Sequence, residues 1–193
     1  MFKITGYLPR LTVTTAERVL MEYKGRIIDI ACGNGPLLRE LHQHKNKSAV
    51  GIDINPNQIA QAQAAGVNAI LGDMFSMPFP DETFDASVCL NAIYNFSSLR
   101  ELGPAFREMI RLVKKDGRLL IDVRNKRNPF IRIKYWLHNK KKLFQTNPYT
   151  PDDLETAMKA VGGRLVTKYA IGINNPFLAW GYILVFEKEN SNS

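Results

Sequence analysis

A chain of 193 residues in which 45% are hydrophobic and 23% are charged has the composition of a soluble globular protein, and we expect one domain over residues 1–193. No apolar run reaches the roughly 20 residues of a membrane-spanning helix, and the start lacks the pattern of a signal peptide, which predicts a cytoplasmic location. The formal net charge is +8, and residues 124–142 alone hold eight cations and no acid.

Short apolar runs alternate along the chain with segments of helical periodicity, a pattern typical of a parallel sheet with helices on both faces. Asn55 and Pro56 mark one helix start clearly, as a capping residue and a first helical residue. In the first two thirds of the chain we expect helices at 14–23, 36–44, 56–66 and 99–113, and strands at 26–31, 49–54, 67–71, 84–90 and 118–123.

The last third begins with a stretch rich in cations and aromatic residues. A short helix is expected there from residue 128, with Phe130, Ile133 and Leu137 on one face. A helix and two strands follow, at 151–161, 165–170 and 181–187, and residues 188–193 are expected to form a flexible tail. Together the elements predict an α/β fold, a Rossmann-like, seven-stranded, mostly parallel sheet whose last strand is antiparallel.

The turn after the first strand reads Asp29-Ile30-Ala31-Cys32-Gly33-Asn34-Gly35. Two glycines between a buried strand and a helix allow the backbone to approach a ligand closely, although packing alone also explains glycines in such turns. The end of the second strand strengthens the case for a ligand. Asp53 stands there, 20 positions beyond Gly33, where a carboxylate can accept both hydroxyls of a ribose.

These features fit either a dinucleotide or S-adenosylmethionine, and three further residues favour the second. Leu38 occupies the position at which the dinucleotide fingerprint has a third glycine or alanine. Asp29 would repel the phosphates of a dinucleotide but would attract a cationic aminoacyl group. Asp73 follows the third strand and places another polar group at the carboxyl edge of the sheet.

Taken together, the motifs between residues 27 and 123 resemble the class I S-adenosylmethionine-dependent methyltransferases, and most closely the small-molecule branch that includes quinone and sterol methylases. The resemblance implies S-adenosylmethionine as the cofactor and S-adenosylhomocysteine as the product. It also implies a set of cofactor-binding residues, which are Asp29, Ala31, Gly33, Gly35, Asp53, Ile54, Gly72, Asp73, Met74 and Asn91.

Within that site the resemblance implies a separate role for each strand end. Asp29 and the turn that follows it would hold the methionine end of the cofactor, and Asp53 would hold the ribose. Asp73 would accept a hydrogen bond from the adenine amino group, with Ile54 against the ring. Asn91 would lie beside the methionine portion, near the reacting sulfur.

No catalytic residue is assigned, because methyl transfer from a sulfonium disperses charge and depends largely on positioning. An acceptor with an acidic proton would also need a base. The side chains considered for that role, or for positioning the acceptor, are Tyr94, Tyr135, His138 and Tyr149. No metal ion is expected, since no Cys and His residues have ligand spacing, and Cys89 is expected to be a buried apolar residue rather than a nucleophile.

Residues 124–147 interrupt the sheet at its carboxyl edge, where ligands bind in open α/β folds, and we interpret them as a basic and aromatic cap or lid. Three functional roles stay open for this segment. It can select an anionic or lipid-like small acceptor, lie on an anionic membrane surface, or contact RNA phosphates. A solvated surface helix without a binding role is the fourth interpretation.

The leading hypothesis is therefore a methyltransferase that acts on a small or lipid-like acceptor. An RNA methyltransferase that uses residues 124–142 is one alternative, and a non-catalytic S-adenosylmethionine-binding module is another. A nicotinamide-dependent oxidoreductase is disfavoured by Leu38 and Asp29. The acceptor and the oligomeric state are left open by the sequence.

Overall fold

The structure is a computed structural model that describes residues 4–44, 47–140 and 147–189. The strands are β1 (Gly25–Ile30), β2 (Lys47–Asp53), β3 (Ala69–Leu71), β4 (Phe84–Cys89), β5 (Val113–Arg124), β6 (Gly163–Ile171) and β7 (Gly181–Lys188). The helices are α1 (Ile4–Leu20), α2 (Pro36–His42), α3 (Pro56–Ala64), α4 (Gly103–Leu112), α5 (Pro129–Lys140) and α6 (Pro151–Lys159), with a 3₁₀ turn at Ile93–Asn95.

The strands of the described residues form one seven-stranded sheet in the order β3-β2-β1-β4-β5-β7-β6. The pairs from β3 across to β5 are parallel, whereas β7 is antiparallel to both of its neighbours, β5 and β6. The predicted Rossmann-like sheet, mostly parallel with the last strand antiparallel, is confirmed. Because the parallel strands share one direction, the ends of β1, β2, β3 and β4 meet at the same edge.

Helices cover both faces of this sheet, because successive side chains of a strand point in opposite directions. Ile28 and Ile121 lie in a core with residues of α4 and α6, whereas their neighbours Ile27 and Leu120 lie in a second core with α1 and α2. The central strands are therefore buried on both faces, which explains their nearly continuous apolar sequence. Within the described ranges, none of the helices combines the length and apolarity that crossing a bilayer requires.

The first helix is longer than the sequence predicts, since α1 begins at Ile4 rather than at residue 14 and contains Pro9. Two threonines of this helix form hydrogen bonds within it. The hydroxyl of Thr12 donates to the carbonyl of Leu8 at 3.0 Å, and that of Thr15 donates to the carbonyl of Leu11 at 2.7 Å. Such bonds to the carbonyl four residues back satisfy a hydroxyl within a helix, so a threonine does not by itself mark a start.

The fifth strand is also longer than predicted, at the expense of the preceding helix. Val113 pairs with Phe84 of β4 before a shift in register, and β5 continues to Arg124. The pair Asp116-Gly117 lies within this shift in register, as part of an irregularity inside the strand. Helix α4 correspondingly ends at Leu112.

The expected cap begins after β5, because Arg124 is a buried strand residue rather than part of a basic surface. Residues 141–146 of the predicted cap lie outside the described residues. Of the predicted tail, Lys188 is the last residue of β7 and the N–H of Glu189 donates to the carbonyl of Gly162 at 2.8 Å. Residues 190–193 lie outside the described residues.

Arg124 and Asp122 form a buried charged pair at the end of β5, with side chains 2% and 0% exposed. The closest nitrogen and oxygen, Nη1 of Arg124 and Oδ2 of Asp122, are 3.6 Å apart. Nη1 also donates to the hydroxyl of Thr12 in α1 at 2.9 Å. Nη2 donates to the side-chain oxygen of Asn91, just beyond β4. One guanidinium thus connects the end of β5 to α1 and to the residue after β4.

We expect Arg124→Met to lower the free energy of unfolding by about 3–5 kcal/mol, because the change leaves the Asp122 carboxylate buried without a cation. The double variant Arg124→Met/Asp122→Asn should recover part of this loss, since the buried charge is then removed as well. Urea unfolding of these two variants and of Asp122→Asn alone measures the effect. A double variant as unstable as the sum of its two single changes would show that the two charges do not stabilise each other.

Candidate functional site

A cavity of about 470 Å³ opens at the carboxyl edge of the sheet, between the ends of β1, β2 and β4. This volume lies within the usual range for small-molecule sites. Five of the ten predicted cofactor residues line it, namely Asp29, Ala31, Gly33, Asp53 and Asn91. Residues predicted from the turn after β1, the end of β2 and the exit of β4 thus face one cavity, and their binding of the cofactor stays a prediction.

The backbone around the cavity adopts left-handed conformations at the exits of two neighbouring strands. Ala31, after β1, has φ of 56° and Asn91, after β4, has φ of 57°. Gly33 has φ of 56°, and a Cβ atom built on it would find only the Gln58 Oε1 atom within 4 Å, at 3.7 Å. Left-handed backbone is costly for alanine. The turn thus holds strained backbone where it faces the cavity.

Asp53 fixes this turn from the end of the adjacent strand. Its Oδ2 accepts the N–H of Gly33 at 2.8 Å, and its Oδ1 accepts the N–H of Asn55 at 2.8 Å. Each carboxylate oxygen has two lone pairs, so each can accept one further hydrogen bond from a ligand. The side chain therefore stays available to the hydroxyls of a ribose while it holds the loop.

Asp29 is a buried acid in the wall of the cavity, with 3% of its surface exposed. Its pKa is raised to about 8, first by the loss of solvation on burial and then by the negative charge of Asp53. A cation brought into the cavity would stabilise the ionised form of both acids. The site therefore favours a positively charged ligand group and disfavours a phosphate.

Asn91 is held by Asp122 and Arg124, the buried charged pair that the sequence did not identify. Its N–H donates to Asp122 Oδ1 at 2.6 Å, and its side-chain oxygen accepts from Arg124. Arg124 also lies 5.4 Å from the centre of the Tyr94 ring. No motif signalled this arrangement, because Arg124 belonged by composition to the basic segment that follows it.

The other five predicted cofactor residues do not line the cavity. Gly35 and Gly72 are needed for packing, since a Cβ atom would lie 2.9 Å from the Val67 side chain in the first case and 2.5 Å from Ile52 in the second. Ile54 is 70% exposed after β2. After β3, Asp73 is exposed and Met74 packs partly against the main core.

Asp73 differs from the other two acids in its local contacts. Its Oδ1 accepts the N–H of Phe75 at 2.9 Å, which stabilises its own turn. Asp29 and Asp53 share a cavity, whereas Asp73 lies one strand farther out along the same edge. A role for Ile54, Asp73 and Met74 at the adenine end stays a prediction.

The residues that the sequence missed come mainly from helices. Pro9 and Val13 of α1 contribute to the lining, as do Gln58 of α3 and Asn95 of the 3₁₀ turn. Pro9 was placed before the predicted first helix, so it was not considered. The apolar spacing of Leu8, Val13, Ala16 and Leu20 was the signal that could have extended α1 over the site.

None of the four side chains considered as bases or positioners lines the cavity within the described residues. The rings of Tyr94 and Tyr135 are tilted by 31° with their centres 6.3 Å apart, and burial raises the pKa of both hydroxyls, that of Tyr135 to about 12. The Tyr149 hydroxyl donates to the carbonyl of Phe96 at 2.7 Å. His138 lies on α5.

The two cysteines are free and buried. Burial raises the pKa of both thiols, at Cys32 in the cavity wall and at Cys89 in β4, so neither is a thiolate at neutral pH. His44 pairs with Glu17 of α1 at 2.9 Å. The described residues contain no group of three or more metal-binding side chains.

Comparison with known proteins decides the family. Residues 28–121, which include the end of β1, all of β4, the Gly33 turn and Asp53, match the family model described as a methyltransferase domain. These residues belong to the class I S-adenosylmethionine-dependent methyltransferase family. The cofactor of this family is S-adenosylmethionine, in agreement with the acids and the left-handed turn around the cavity.

Two relatives of this chain have different acceptors in their names. A demethylmenaquinone methyltransferase from Roseiflexus castenholzii is 32% identical over 120 residues, which cover 59% of this chain and 49% of the relative. A tRNA (carboxymethyluridine(34)-5-O)-methyltransferase from Xenopus tropicalis is 32% identical over 101 residues, which cover 52% of this chain and 16% of the relative. The aligned part is thus less than half of either relative.

The fold similarity extends farther than the sequence similarity. The structure of an S-adenosylmethionine-dependent methyltransferase from Archaeoglobus fulgidus has a TM-score of 0.77, with 93% of this chain and 94% of that chain covered. The identity between the two is 17%. The shared feature is the fold, including the strands that carry the cavity.

The buried Asp29 makes a testable contribution to stability. Because its pKa in the folded protein is about 8 and that of an unfolded aspartate is about 4, the unfolded chain releases this proton first as pH rises. The Asp29-dependent part of the stability is thus complete below about pH 4 and is lost as pH rises towards about pH 8.

We therefore expect Asp29→Asn to gain stability relative to the wild type as pH rises from about 5 to about 8, by at most about 1.4 kcal/mol per pH unit. Urea unfolding at several pH values measures this difference. Asp116→Asn is the matched control, because Asp116 is exposed on β5. Parallel stability curves for wild type and Asp29→Asn would contradict the proposed burial of this acid.

Proposed function

We propose that this chain binds S-adenosylmethionine in the cavity at the carboxyl edge of the sheet and transfers its methyl group to a small or lipid-like acceptor. The observation that carries the proposal is the pair of acids Asp29 and Asp53, which line one cavity with the left-handed turn at Gly33. A cationic ligand with a ribose satisfies both acids, whereas a dinucleotide phosphate would meet negative charge.

The proposed orientation follows from the chemistry of each wall. The ammonium group of the methionine end would approach Asp29, and the ribose hydroxyls would donate to the free lone pairs of Asp53. The adenine would extend outward along the edge towards Ile54, Asp73 and Met74, which follow β2 and β3. The reacting sulfur would then lie near Asn91, in the part of the cavity closed by Pro9 and Val13 of α1.

Positioning supplies the proposed catalysis. The described lining residues include no His, Lys or Tyr, and the Cys32 thiol is protonated because burial raises its pKa. The leaving group becomes neutral in an in-line displacement, so no charge develops that a protein group must stabilise. An acceptor that is already nucleophilic can therefore react once it is held in line with the sulfonium.

Two observations support a small or lipid-like acceptor. The demethylmenaquinone methyltransferase aligns over a longer part of this chain than the tRNA methyltransferase does. Arg124, which bonds to the cavity residue Asn91, is buried and is also bonded to Thr12. Its burial keeps it away from an RNA phosphate, so Arg124 does not serve as the first cation of the proposed RNA-binding segment.

An RNA acceptor is the second candidate, because the Xenopus tropicalis relative is equally identical over its shorter alignment. The exposed cations Lys126, Arg132 and Lys140 would supply the phosphate contacts. Binding of this kind weakens steeply with added salt. Salt dependence of RNA binding therefore separates the two candidates.

Calorimetric titration tests the cofactor site. We expect the wild type to bind S-adenosylhomocysteine and not NAD. Asp53→Ala should weaken binding by about ten- to a hundredfold, because the ribose loses hydrogen bonds to a charged acceptor. Asp116→Ala, an exposed acid on β5, should bind like the wild type. Unchanged affinity in a folded Asp53→Ala variant, or binding of NAD alone, would overturn the assignment.

Transfer of a labelled methyl group tests the acceptor class. With labelled S-adenosylmethionine and a fractionated cell extract, we expect the label in the fraction extracted by organic solvent. Label in the RNA fraction would favour the second candidate. Binding of S-adenosylhomocysteine without any transfer would identify a non-catalytic module.

A further inference from the structure

Helix α5 presents apolar side chains to both the protein and the solvent. Ile131 and Tyr135 are buried and attach the helix to the domain. On the opposite side Phe130, Ile133, Trp136 and Leu137 are between 49% and 62% exposed. The sequence correctly placed Phe130, Ile133 and Leu137 on one face, but that face points outward. A helix that only covers the core of a domain has a polar outer face instead.

A neighbouring loop enlarges this exposed face. The side-chain amide of Asn128 donates to the carbonyl of Leu178 at 3.0 Å, and the rings of Phe130 and Trp180 are 6.3 Å apart. The same loop, between β6 and β7, exposes Ile173, Phe177 and Leu178. We name these exposed side chains the apolar surface: Phe130, Ile133, Trp136, Leu137, Ile173, Phe177 and Leu178.

The charges beside the apolar surface are almost all positive. Residues 125–140 contain cations and no acid, and residues 172–180 contain no charged residue. Lys126, Arg132 and Lys140 are exposed, and the Lys140 ammonium lies 3.8 Å from the centre of the Trp136 ring. Arg127 is paired with Asp152 at 3.0 Å. The partner that fits this surface is therefore both apolar and anionic.

We propose that the apolar surface docks on an anionic lipid bilayer, with α5 lying parallel to the membrane in the headgroup region. Apolar side chains then enter the boundary of the acyl chains, and the cations beside them contact acidic headgroups. The inference stands on the exposed face itself and does not depend on methyl transfer. It would place the cavity near a membrane, where lipid-like acceptors are found.

The chemistry of the surface favours a bilayer over two other partners. Ile133, Leu137 and Ile173 are aliphatic, and aliphatic side chains do not provide the stacking platforms that bind single-stranded RNA. A second copy of the chain would bring two positively charged surfaces together. Of these three partners, the lipid surface alone satisfies both the aliphatic side chains and the cations.

Cosedimentation with vesicles tests the proposal. We expect the wild type to sediment with vesicles of phosphatidylcholine and phosphatidylglycerol, and much less with phosphatidylcholine alone. Ile133→Ser/Trp136→Ser should reduce binding by about tenfold or more, because two apolar side chains no longer enter the lipid. Both residues are exposed, so the variant should keep the wild-type thermal unfolding and its affinity for S-adenosylhomocysteine.

The matched control is Met21→Ser/Val166→Ser, which also removes two exposed apolar side chains, but near the end of α1 and within β6. This control should bind vesicles like the wild type. Tryptophan emission should shift to shorter wavelength on vesicle binding, and Trp136→Phe should remove most of that shift.

Three results would overturn the proposal. The first is absence of binding to the anionic vesicles at low salt, and the second is equal binding by the Ile133→Ser/Trp136→Ser variant. The third is a wild-type dimer in analytical ultracentrifugation that the same variant converts to a monomer, which would identify a second copy as the partner. Failure of the wild type to bind S-adenosylhomocysteine would contradict the proposed function. It would not contradict membrane docking, which the vesicle experiment tests independently.

Discussion

The carboxylate of Asp53 connects the two strand ends on which the cavity depends. It accepts the N–H of Gly33 beyond β1 and the N–H of Asn55 before α3, both at 2.8 Å. Parallel pairing of β1 with β2 brings these groups to one edge. The bond to Gly33 constrains a turn that contains left-handed residues, including Ala31. Such backbone persists only where the surrounding contacts determine it.

Two buried carboxylates near this turn have different consequences because their surroundings differ. Asp122 has Arg124 as a nearby cation, and the pair fixes Asn91 through hydrogen bonds to its backbone and its side chain. Asp29 has only the negative charge of Asp53 as an electrostatic neighbour that shifts its pKa. One acid therefore serves the structure of the site, whereas the other is available to a cationic ligand.

The segment after β5 contributes less positive surface and more apolar surface than its composition suggests. Arg124 is buried in the sheet and Arg127 is paired with Asp152. What the helix exposes instead is a row of aromatic and aliphatic side chains with cations beside it. A count of charges along the chain does not reveal this, because burial and pairing determine which cations reach solvent.

The sequence by itself determined the sheet, the turn after β1, the acid at the end of β2 and the family. Those features depend on local patterns, such as continuous apolar strands and glycine spacing, which survive without knowledge of distant contacts. Only the tertiary structure showed that α1 extends to Ile4 and closes the cavity, that Arg124 pairs with Asp122, and that the face of α5 with Ile133 points outward. These outcomes depend on which elements pack together. Neighbours in space decide whether a threonine caps a helix or lies within it, whether an arginine is exposed or buried, and whether an isoleucine lies in the core or at the surface.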